Sequence, residues 1–140
     1  MKAKEFLRQY QQAKYDLEIA MATLKELEEM EDNISIGEGE GIRTNNISDK
    51  TGNLAVKIAD KKAEIARGNN ELYDILSEVK AVIDLVEKRK YKRLLHLRYI
   101  EGLRWEQVAK ELNYDTRWTL KLHGQALLIV DGILKDIKRH

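Results

Sequence analysis

The chain has 140 residues, a formal net charge of +1, no Pro and no Cys. That length holds one ordinary domain, or a small domain on a helical extension. Without Cys there is neither a disulfide framework nor a thiolate metal site, and without Pro long uninterrupted helices are open to it. Its three His, at 96, 123 and 140, lie far apart and lack metal-ligand spacing. No signal peptide and no apolar run of membrane-spanning length is read, so a cytoplasmic protein, bacterial or viral, is expected, with no membrane partner. The near-neutral total conceals a split. Residues 1–32 carry −3, residues 33–53 carry −1 and residues 54–87 carry −2, whereas residues 88–140 carry +7. A basic back half on an acidic front half points to an anionic partner, most often nucleic acid.

Residues 2–32 place Phe6, Tyr10, Ala13, Leu17, Ala20, Leu24 and Leu27 at alternating spacings of four and three. That is a coiled-coil seam, on a helix about 45 Å long at ~1.5 Å per residue. Residues 54–87 repeat the pattern at Leu54, Ile58, Lys61, Ile65, Gly68, Leu72, Ile75, Val79, Val82 and Val86. Lys61 and Gly68 are defects in this seam, and Gly68 suggests a weak point or bend. Leu76, Ile83 and Leu85 widen the second helix's apolar face. The intervening residues 33–53, with Gly37, Gly39 and Gly41, read as a flexible loop, with Ser48 or Asp49 capping the second helix. The GEGEG run lacks a preceding strand and carries two Glu, which speaks against a phosphate cradle.

From residue 88 the pattern changes. The cluster KRKYKR opens a helix whose apolar positions are Leu94, Leu95, Leu97, Tyr99 and Ile100, and Gly102 stops it. A short helix follows, with Trp105, Val108, Ala109 and Leu112 facing inward. Ala109 leaves room for a close helix crossing. Asn113 suits a left-handed turn residue, and Asp115 caps the next helix. Thr119, Leu122 and Ala126 form that helix's inner side. This is the spacing of a helix-turn-helix. The apolar stripe Ile129, Val130, Ile133, Leu134 and Ile137 prolongs the last helix and should dock on the front hairpin or a second subunit.

The fold class expected is therefore all-α: an N-terminal antiparallel helical hairpin or coiled coil over residues 1–87, then a helix-turn-helix domain over 88–140 with a long last helix. The exposed side of that helix holds the base-edge candidates Thr116, Arg117, Leu120, Lys121 and Gln125. Arg117 suits guanine, Leu120 a thymine methyl, and Gln125 either adenine or phosphate. Candidates for phosphate contact are Lys88, Arg89, Lys90, Lys92, Arg93 and Arg104, together with Gly124, where a missing side chain permits close backbone approach. Trp118, on the flank, reads as a packing wedge. His96 and His123 read as packing or hydrogen-bonding residues. No catalytic grouping, metal site or cofactor is expected.

The stretch LLHLRYIEGLRWEQVAKELNYDTRWTLKLHGQAL, about residues 94–127, resembles region 4 of sigma-70-type transcription factors. More closely it resembles ArpU- and RinA-like regulators of phages and prophages of Gram-positive bacteria. Arg98, Tyr99, Trp105, Ala109, Arg117, Trp118, Lys121, Leu122, His123, Gly124, Ala126 and Leu127 carry that resemblance. It implies a transcriptional regulator that binds double-stranded DNA, with host RNA polymerase as a further partner; the front helices either close on each other or pair with a second chain in a homo-oligomer, a dimer. Thr119, Leu120 and Gln125 depart from the pattern. Two alternatives share the pattern: a non-catalytic phage protein that binds host RNA polymerase or inhibits a host nucleic-acid enzyme, and a small terminase-like packaging protein.

Overall fold

A computed structural model describes residues 2–37 and 45–139, with side chains at 2–34 and 52–139. Among the described residues the protein is all-α, with five helices and no strand. They are α1 (Ala3–Gly37), α2 (Asn45–Asp84), α3 (Arg89–Leu95, continuing as a π-helical turn over His96–Ile100), α4 (Trp105–Leu112) and α5 (Thr116–Arg139). None is long and apolar enough to cross a membrane.

Part of the expected loop 33–53 is helical. Helix α1 runs on to Gly37, and α2 begins at Asn45. Adding a residue to an existing helix costs little once the first turn is formed, and no Pro interrupts either flank. Ile34, four-three spaced after Leu27 and Glu31, is half-buried and so continues the seam. Ser48 and Asp49 consequently lie inside α2 rather than at its start. Residues 38–44, with the Gly39 and Gly41 of the GEGEG run, lie outside the described residues.

The chain divides into two compact units. One comprises the residues up to Ala13 together with Leu72 onwards, and the other Lys14–Glu71, so α1 and α2 each supply residues to both. The physical reason is burial. Ala3 and Leu7 at the start of α1, and Val79, Val82, Ile83 and Val86 at the end of α2, join Tyr91, Leu94, Leu95, Leu97, Tyr99, Val108, Leu122, Ala126 and Val130 in one core. Leu7, Leu94, Leu95, Val108, Ala126 and Val130 are all fully excluded from solvent. Leu7 sits one position past the expected seam residue Phe6, which is only partly buried. Leu85 departs from its expected inward place and is 57% exposed.

In the unit of residues 14–71, Leu17, Ala20, Leu54 and Ile58 are the buried hydrophobic side chains among the described residues. Leu17 lies against Gly68, while Met30 and Ile34 share a hollow with Leu54 and Lys57. As one helix advances the other recedes, so the two segments run antiparallel. Gly68 does not break α2. A Cβ there would stand 3.0 Å from the Leu17 Cδ1, so the missing side chain lets the helices approach. Lys61 pairs with Glu64 at 2.7 Å on its own helix and keeps its charge at the rim of the seam.

In the other unit the joints are specific. The Asp131 carboxylate accepts the Ala3 N–H (2.8 Å), capping an otherwise orphan donor at the start of α1. The Gln11 Nε2 donates to the Tyr99 and Ile100 carbonyls (3.2 and 2.9 Å), closing the far end of the α3 segment. Beyond it Gly102 adopts φ +74°, and a Cβ there would meet the Gln11 amide at 3.0 Å. The π turn lengthens this terminus by one residue: Glu101 N–H bonds the His96 carbonyl, and Leu103 N–H bonds that of Leu97. Leu97 and Tyr99, two residues apart, are both buried, so the segment is covered on two sides.

Candidate nucleic-acid interface

Helix α5 packs against both α3 and α4. Its entry is set by local chemistry. Asn113 stands at φ 61°, ψ 38°, the left-handed conformation expected of it. The Asn113 N–H bonds the Lys110 carbonyl (3.2 Å) and the Tyr114 N–H bonds that of Ala109 (3.0 Å), a Schellman closure of α4. The Asp115 Oδ1 then accepts the Trp118 N–H at 2.7 Å, capping α5. At the other end of α4, the Gln107 Oε1 accepts the Arg104 N–H at 3.0 Å.

The inner side of α5 is the one anticipated. Thr119, Leu122 and Ala126 are 0–1% exposed, and the Thr119 hydroxyl donates to the Asp115 carbonyl (2.8 Å), so a polar side chain is accommodated in the core. One helical turn on, His123 is buried too. Its Nε2 lies 2.6 Å from the Tyr99 hydroxyl and its ring 4.4 Å from that of Trp105. Arg98 stacks over the other ring of this group, 4.6 Å from the Trp105 centroid, and donates to the Leu103 carbonyl. Burial, reinforced by the charges of Lys4, Arg98 and Arg8, pushes the His123 pKa down to about 4. His123 is thus neutral at neutral pH and belongs to the core.

The outer side, at 100° per residue, brings Arg117, Lys121 and Gly124 together, all exposed. Nothing lies within 4 Å of where a Gly124 Cβ would be. Leu120 is 45% exposed on one edge, and Thr116, the first residue of the helix, is half-buried. Gln125 is exposed but not free: the Tyr91 hydroxyl donates to its Oε1 at 2.6 Å. Of the basic cluster, Lys88, Arg89, Lys90 and Arg93 are exposed and Lys92 half-buried, at and just before α3. Arg93 approaches Glu111 of α4 at 3.9 Å, which draws it away from a purely anion-facing role. Arg104, exposed, marks the start of α4.

Trp118, expected from its place on the flank to pack as a wedge, is open to solvent over part of its surface. It is 43% exposed, beside Tyr114 at 39%, and farther along α5 Leu128 reaches 72%. Position explains this, since Trp118 stands about 70° from the centre of the Thr119, Leu122 and Ala126 stripe, on its flank, so part of the ring stays open to solvent. Tyr91 was legible only as an aromatic within a run of lysines and arginines. Its burial and its bond to α5 needed the fold. The chain matches no protein family, no curated protein and no solved structure with which it was compared.

Proposed function

We propose that this chain is a DNA-binding transcriptional regulator of the phage or prophage kind, with α4, the Asn113–Asp115 turn and α5 as its helix-turn-helix. The observation that carries the reading is the two-sidedness of α5. Thr119, Leu122 and Ala126 are sealed in the core, while Arg117, Lys121 and the bare Gly124 backbone stand open on the opposite side. A capped helix with cations and a side-chain-free patch on its outer side suits a major groove, where side chains near the N-terminus meet base edges. The +7 excess over residues 88–140 supports an anionic partner. In this reading the protein acts in the bacterial cytoplasm, and α1 and α2 pair two copies so that two recognition helices meet two half-sites. Titrating salt against binding to duplex DNA tests it: affinity falls steeply and linearly in log–log form as salt rises. Absence of binding at low salt refutes the reading.

A second reading has its own support. Trp118, Leu120 and Leu128 expose apolar surface on the same helix. That suits a protein partner such as RNA polymerase, contacted in addition to DNA or instead of it. Capture of polymerase that survives the double substitution Arg117→Ala/Lys121→Ala favours the protein partner.

A further inference from the structure

Tyr91 stands in the middle of the Lys88–Arg93 cluster, yet is only 7% exposed. Its hydroxyl and the Gln125 amide oxygen are 2.6 Å apart. That separation is typical of O–H···O and shorter than ordinary N–H···O bonds, so the phenol donates and Oε1 accepts. The consequence lies at the other end of the amide. With Oε1 engaged, the exposed Gln125 offers solvent its Nε2 donors. A glutamine that reads adenine uses both ends, accepting from N6 and donating to N7. A phosphate oxygen, which only accepts, is the better match for a side chain that offers donors. A cation stands nearby: the Lys90 Nζ lies 5.1 Å from the Tyr91 ring centroid.

We infer that Lys90, Tyr91 and Gln125 form a phosphate clamp where α3 meets α5, in which Tyr91 is a positioning residue that turns Gln125 into a backbone contact rather than a base reader. The inference rests on the reading of the chain as a DNA-binding protein. It moves Gln125 from the base-edge group to the phosphate group, beside Lys121, and leaves base discrimination to Thr116, Arg117 and Leu120.

The test compares wild type, Tyr91→Phe, Gln125→Ala and Lys90→Ala on two duplexes. One is selected by the wild-type protein from random sequence, and the other is its shuffled counterpart. Tyr91→Phe and Gln125→Ala each weaken both duplexes by the same factor, about three- to tenfold, the worth of one hydrogen bond. They leave the salt dependence unchanged because no charge is removed, whereas Lys90→Ala makes it shallower. Two results overturn the clamp. One is Gln125→Ala weakening the selected duplex far more than the shuffled one, the mark of a base reader. The other is Tyr91→Phe lowering thermal stability while affinity holds, the mark of a purely structural bond. A wild-type protein that binds no duplex at all removes the DNA-binding reading itself, and the clamp with it.

Discussion

The Tyr99 hydroxyl and the His123 Nε2 lie 2.6 Å apart in the core, joining the π-helical end of the α3 segment to the middle of α5. This buried pair makes stability depend on acid. The folded-state pKa of His123, about 4, lies below its ordinary 6.5. A group depressed in this way stabilises the fold above pH 6.5, and the contribution is lost as pH falls toward 4, where the unfolded chain binds the proton the folded one refuses. The loss is on the order of 3 kcal/mol at full extent. Urea unfolding at pH 7.5, 6, 5 and 4 measures it. In His123→Phe the part of the slope between pH 6.5 and 4 that His123 contributes disappears.

The turn before α5 makes a second prediction. Asp115→Ala removes the acceptor of the Trp118 N–H and costs about 1 kcal/mol. Asn113→Gly is nearly neutral, because glycine takes φ 61° without strain, whereas Asn113→Val costs about 1–2 kcal/mol. Denaturant midpoints of the three variants check this order.

Two glycines of α5 separate stability from binding. Nothing lies within 4 Å of a Cβ at Gly124 or at Gly132, so alanine at either stabilises the helix by about 1 kcal/mol. Gly132 falls on nearly the same side as Arg117 and Lys121, but it stands about 12 Å farther along the helix axis than Gly124, beyond the N-terminal part that carries those cations. Gly124→Ala therefore raises the melting temperature and weakens DNA binding, while Gly132→Ala raises the melting temperature alone. Paired melting and binding curves decide it.

The all-α class, the left-handed Asn113, the Asp115 cap and the inner side of α5 were legible because each depends on neighbours in sequence. A cap needs its own helix, and a buried stripe needs only the 3.6-residue period. The same reasoning located Arg117, Lys121 and Gly124 on the outer side. What escaped it depends on distant partners. Nothing around Leu7 says that it meets the end of α2 and the core of the basic region, and nothing in HLRYI announces a π turn. The helical residues at 33–37 and 45–53 escape it too, because Asn, Ser and Gly lower helix propensity only modestly, and a helix already running passes through them. The tie of Gln125 to Tyr91 spans 34 positions, beyond the reach of any local pattern.

The two tryptophans should part company under truncation. Trp118 is 43% exposed, so Trp118→Ala costs less than about 1 kcal/mol. Trp105 packs on His123 and under Arg98, so Trp105→Ala costs about 3 kcal/mol. Equilibrium unfolding followed by circular dichroism compares them without relying on the fluorophore that each variant removes.

The central claim is that the outer side of α5 meets DNA. The most direct measurement is the dependence of duplex affinity on salt for wild type, Arg117→Ala and Lys121→Ala, on a selected and a shuffled sequence. The account predicts that Lys121→Ala weakens both duplexes and lowers the log–log slope by about one. It predicts that Arg117→Ala weakens the selected duplex by about tenfold or more relative to the shuffled one. Wild-type binding that does not respond to salt, or equal affinities for all three proteins on both duplexes, would contradict it.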